Sequence, residues 1–228
     1  MVGIRHSIRE KTPMVYNEKN YGLSVIIAFV DMVGTVLRIN GKRNADLSPQ
    51  VLMDAQCDDL LTAIAFATSP DLGLEPLTSY PFILISRYIP NWTERNFQTS
   101  KAKRYRIDDI KSFCDPDAIK SEILANFGEN GKKYPLMGVL LTNEFKSREV
   151  AAAAADGMPF RHQGDVPIHR PGLQSRHGVT IVGVDTTSLD PQEHFVEVKS
   201  SHGRRWGREG FSKVGFEVFE TVLVPYYG

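Results

Sequence analysis

The sequence predicts an α+β protein, helical in its first half and sheet-rich in its second, with a cleft between two lobes. Three observations carry that expectation. The most apolar run, Gly22 to Ile39, has the length of a buried helix spanning a small domain. Two helix starts, Ser48-Pro49 and Asp115-Pro116, punctuate the stretches on either side of residue 107. From Tyr134 onward, short β-branched runs take over. The expected division is a mainly helical lobe at 1–107, with its central helix at 24–40, and a mainly β lobe at 108–228.

Composition narrows the class without naming a function. The chain has 228 residues, 42% hydrophobic and 24% charged, which suits one large domain or two small lobes sharing a core. Lys plus Arg equals Asp plus Glu at 27 each, so no net field favours nucleic acid or an anionic membrane. The short basic runs Lys101 to Arg104 and Arg204-Arg205 read as solvated surface. No nucleic-acid or membrane partner is therefore expected. No signal peptide or targeting tail is recognisable, and Asp31 interrupts the one run long enough to invite a membrane reading. Cys57 and Cys114 are too few for a disulfide framework, so a cytoplasmic or other reducing compartment is expected. The sequon Asn91-Trp92-Thr93 reads as chance.

Taken in order, residues 1–20 are polar, broken by Pro13, and read as an extended lead-in. Ser24 stands where its hydroxyl could N-cap the central helix, and Asn40-Gly41 suits its end. Ser48 and Pro49 open a second helix. A third fits Asp58 to Thr68, with Leu60, Leu61, Ile64 and Ala65 expected on its apolar side. Residues 81–98 are aromatic and irregular. Tyr105 to Ile110 is expected as a short strand. Asp115-Pro116 opens another helix, closed by Gly128. Strands are expected over 136–141, 179–184, 194–199, 211–214 and 222–225. Between them, Ala151 to Gln174 reads as a long loop of the kind that borders binding sites.

Several stretches, in the right order, resemble the papain-like cysteine peptidases. Ile8 to Glu18 is similar to the family's mature start, and Ser24 to Gly34 to its "C-W-A-F-S" helix. Leu47 to Asp54 resembles "L-S-E-Q-x-L-x-D-C", the most specific likeness. His177 to Gly183 is similar to "H-A-V-x-x-V-G-Y". Val196 to Phe211 resembles the segment around "K-N-S-W-G-x-x-W-G-x-x-G-Y", and Tyr80-Pro81-Phe82 resembles "Y-P-Y". The resemblance implies a helical left lobe with a long central helix, a β-barrel-like right lobe, and a cleft between. The family is made with an inhibitory propeptide, whereas this chain begins at the position of the mature start, so it is expected to fold without a pro-segment. The paired cysteines of the family are replaced, by Tyr21 and Ala55 at two positions.

The resemblance also places the catalytic positions, and most hold other residues. Ser24 stands where the family has its cysteine nucleophile, and Glu18 where it has the oxyanion Gln. His177 is kept as the base. Ser200 replaces the Asn that orients that base. His202 replaces the Trp that shields the pair, while the second Trp survives as Trp206. Asp58 and Asp59 fall near the substrate-binding edge of the cleft. A Ser hydroxyl is not ionised by a neighbouring imidazole as a thiol is. An ionised Glu18 would offer no donor to an oxyanion, and one lost donor costs about 3 kcal/mol of transition-state stabilisation.

Two functions of different class follow. One is a binding or regulatory protein without peptidase activity, taking a peptide, a protein tail or a small molecule in the cleft. The other is an enzyme of altered chemistry: Ser24 and His177 acting on an ester or acyl group, or Glu18 and His177 as an acid–base pair on a small molecule. Residue by residue, the plain alternatives are a helix cap for Ser24, a surface carboxylate for Glu18 and a packing substitute for His202. His162, His169, His177, His194 and His202 show no ligand spacing, so no metal and no cofactor is expected.

Overall fold

A computed structural model describes residues 3–19, 22–42, 45–57, 59–82, 103–141, 145, 147–161 and 176–228. The expected strip over 83–98 and the site position Asp58 lie outside these residues. Within them, the first half holds strand β1 (Arg5–Ser7), a 3-10 turn (Arg9–Lys11), and helices α1 (Ser24–Ile39), α2 (Pro49–Asp54) and α3 (Leu60–Thr68). The second half holds β2 (Asp109–Phe113), α4 (Pro116–Phe127), β3 (Leu136–Leu141), α5 (Arg148–Ala155) and β4 (Pro159–Phe160). Then come β5 (Arg176–Asp185), β6 (Phe195–Lys199), β7 (Phe211–Val214) and β8 (Phe219–Tyr226).

Helix α1 is the axis of the molecule. Ser24 and every residue from Ile27 to Leu37 are buried. One side carries Phe29, Val33, Val36 and Leu37 into a core shared with Val51 and Leu52 of α2 and Ala63, Phe66 and Ala67 of α3. Each fully buried side chain of this size contributes roughly 1.5–3 kcal/mol. The other side lies on β5, where the Thr180 hydroxyl donates to the Ala28 carbonyl at 3.4 Å. Gly178 allows that approach: a Cβ there would fall 2.6 Å from the Val25 Cα and 2.7 Å from the Ser24 carbonyl oxygen. The helix ends at Asn40, followed by Gly41 at φ +76°.

The strands form one sheet in the order β2-β8-β3-β5-β6-β7-β4, with β1 added to β5. Neighbours are antiparallel except β4 and β7. Among the described residues the path stays open, which corrects the barrel-like lobe expected from the resemblance. A second core covers this sheet with Ile119, Ile123 and Phe127 of α4 and Ala154 of α5. The halves also interleave, because β1 from the lead-in pairs with β5.

Four local expectations need correction. The helix-capping role assigned to Ser24 falls away: it is the first residue of α1, and Leu23 occupies the cap without a side-chain hydrogen bond. The buried side of α3 is Ala63, Phe66 and Ala67, leaving Leu61 exposed. The strand expected at 105–110 begins at Asp109, because Tyr105 is instead bridged to Leu74. The alanines at 151–155 are the body of α5 rather than loop. Ser147 caps that helix by accepting from the Val150 N–H at 3.1 Å, and alanine is the best helix former.

One polar contact ties the cores together. The Lys199 ammonium, at the end of β6, donates to Asp31 of α1 at 2.6 Å and to the Met14 carbonyl at 2.9 Å. Burial raises the Asp31 carboxyl above the usual carboxylate range, and Lys199 opposes that rise. Among the described residues, no helix is long and apolar enough to cross a membrane. Cys57 and Cys114 are both free.

Candidate functional site

The site is assembled where the lead-in runs beside the segment after β6. Glu18 donates its backbone N–H to the Ser201 carbonyl at 2.8 Å, and Gly203 donates its own to the Tyr16 carbonyl at 2.8 Å. Between them Asn17 and His202 form an antiparallel bridge. This backbone pairing holds the segment of Glu18 alongside that of His202, with Asn17 opposite His202. His177 comes from the second residue of β5, seated by the pairing of that strand with β3.

Three side chains converge there. Glu18 Oε1 lies 3.5 Å from His202 Nε2 and 3.9 Å from His177 Nδ1. The two imidazoles are stacked, with centroids 4.6 Å apart and planes 12° from parallel. Ser200 Oγ is 2.8 Å from His202 Nδ1. Phe145 packs on the His177 ring at 5.2 Å and on Trp206 at 4.9 Å, and Trp206 lies 5.2 Å from His202. Glu18 and His177 are 0% exposed and Ser24 is 1% exposed, so the group is enclosed rather than spread over an open wall. The surface-carboxylate reading of Glu18 is therefore wrong.

Ser24 borders this group through the backbone. Its hydroxyl accepts the Gly178 N–H at 3.2 Å, its one hydrogen bond among the described residues. The start of α1 and the base position are thus adjacent, but the hydroxyl is used as an acceptor. Ser200 bonds the ring of His202, whereas the resemblance assigned it to orienting His177. Asp59 caps α3, accepting from the Thr62 N–H at 2.8 Å.

The spacing of histidines in the sequence offered no ligand motif, yet the fold brings Glu18, His177 and His202 together with ligand atoms within 4.8 Å of one another. Spacing rules detect donors on one helix or one loop. These three come from separate segments, so only the registration of the whole chain could have grouped them. Phe145 carries no signal in the sequence, and Lys199 matches the K of the later motif without any hint of its bond to Asp31.

The fold is that of the papain-like cysteine proteases. Solved structures similar to this chain include the bromelain protease of Ananas comosus, with TM-score 0.67 at 17% identity and coverage of 100% of both chains. A cysteine protease of Carica candamarcensis superimposes with TM-score 0.65 at 18% identity, covering 99% of each chain. The ragweed pollen allergen Amb a 11, a cysteine protease solved in its proform, gives TM-score 0.67 at 19% identity, covering 100% of this chain and 66% of that one. No family model and no curated protein matches the sequence.

Proposed function

We propose that this chain is a papain-fold protein without cysteine-peptidase chemistry, acting as a binding or regulatory protein at the junction of its two cores. The observation that carries the reading is the carboxylate of Glu18, enclosed beside the rings of His177 and His202 where the family would need an oxyanion donor. A carboxylate there repels developing negative charge, and removing one oxyanion donor alone costs about 3 kcal/mol. Ser24 supports the same reading, since its hydroxyl is turned to the Gly178 N–H. The ligand classes that suit the fold are a peptide, a protein tail or a small molecule.

The 3.9 Å approach of Glu18 to His177 favours one second reading, acid–base chemistry on a small molecule by that pair.

The test is a panel of peptide and ester substrates offered to the wild-type chain, to His177→Ala, and to the combined variant Glu18→Gln, Ser24→Cys, Ser200→Asn. The expected result is no hydrolysis by the wild type, with saturable binding of one ligand class that is weakened by His177→Ala. Peptide cleavage by the wild type that disappears in His177→Ala would overturn the reading.

A further inference from the structure

We propose that Glu18, His177 and His202 form a binding site for a divalent first-row transition ion, with Zn2+ as the reference ion. The inference names a ligand for the site described above and rests on the reading that Glu18 is not peptidase machinery. Two imidazoles and one carboxylate are a familiar donor set for zinc and for related ions.

The distances fit. With metal–ligand bonds of ~2.1 Å, tetrahedral ligands lie ~3.4 Å from one another. Here the Glu18–His202 and Glu18–His177 separations are 3.5 Å and 3.9 Å. All three ligand atoms lie within 4.8 Å of one another, so shifts well under the size of an atom complete the triangle. The two imidazoles are stacked with planes 12° from parallel, so their in-plane lone pairs converge on an ion only after the rings turn. Turning the rings about their soft χ2 torsions aims both lone pairs at a common point.

The surroundings are those of a metal site. The segments that carry Glu18 and His202 are paired by their main chains, which limits the reorganisation needed to bind. Ser200 holds His202 Nδ1 and leaves Nε2 toward Glu18, the outer-shell arrangement that sets the tautomer of a ligating histidine. Phe145 and Trp206 supply an apolar wall.

The experiment uses the full untagged chain, stripped with a chelator and then titrated with Zn2+, with Co2+ as the spectroscopic probe. The expected result is uptake of one equivalent, visible Co2+ absorption of low-coordinate type, and a raised unfolding temperature. Glu18→Gln and His202→Gln should each weaken Zn2+ binding by more than the roughly 10–100-fold typical of losing an outer-shell partner, and Ser200→Ala by about that amount. No uptake at millimolar Zn2+, or uptake unchanged in these variants, overturns the proposal. If Glu18→Gln does not fold, Ser200→Ala decides, because it leaves every ligand in place: wild-type affinity in that variant overturns the site. Occupancy is the readout, so the peptide panel and the titration fail independently.

Discussion

The Gly178 N–H donates to the Ser24 hydroxyl at 3.2 Å, joining the first turn of the central helix to the strand that carries His177. The contact exists because residue 178 has no side chain. An added Cβ would meet the helix backbone at Val25 and Ser24 within 2.8 Å.

Gly178→Ala is therefore expected to destabilise the protein by about 1–3 kcal/mol, the usual range for overpacking a close contact. Ser24→Ala should cost a comparable ~1–3 kcal/mol, because it leaves the buried Gly178 N–H without its acceptor. Urea unfolding of both variants checks this. A midpoint unchanged in both would mean that the helix start is not held against β5.

Lys199→Met should cost about 3–5 kcal/mol, since it strands the Asp31 carboxylate in the core. The double variant Lys199→Met, Asp31→Leu should recover most of that loss, because well-packed apolar replacements of buried ion pairs are often neutral. Comparing the two single variants with the double one in a thermodynamic cycle gives the coupling directly.

His6 sets a small acid sensitivity. Burial, then Lys133 and Lys11, lower its ring below the ordinary 6.5. A histidine depressed in the folded state contributes stability that is present above pH 6.5 and is lost as pH falls through its folded value. His6→Gln should flatten the decline in stability below pH 6.5, and an NMR titration of the His6 ring should show a midpoint under that value.

Ser147→Ala should destabilise by about 1 kcal/mol through loss of the cap of α5. The loss of helix signal should be local, and hydrogen exchange across residues 148–155 should rise while that of α1 does not.

Much of the architecture was legible because it depends on local chemistry. Ser48-Pro49, Asp115-Pro116 and the β-branched runs after 134 each announce their element, and the structure places α2, α4 and the later strands there. The apolar run at 22–39 became α1 for the same reason. What failed depended on packing at a distance. The hydroxyl of Ser24 is nearest in sequence to the donors of its own helix and instead serves one on β5. The alanines after Arg148 carry no apolar periodicity of their own, and the helix they form is announced only by the Ser147 cap before it. Sheet closure is set by pairing among eight strands, which no single run encodes. The site was legible only in part: registration grouped Glu18, His177, Ser200 and His202, but their spacing gave no hint that Glu18 is enclosed or that Ser200 serves His202.

The pairing of residues 14–18 with 199–203 has a kinetic consequence. Lys199 and the Met14 carbonyl are 185 positions apart, so nearly the whole chain must be closed into a loop before this contact can form. Contacts of such separation slow the search for the native state. Trp206, packed on His202, would then act as a late reporter in refolding, its emission settling only after the helices and most of the sheet have assembled.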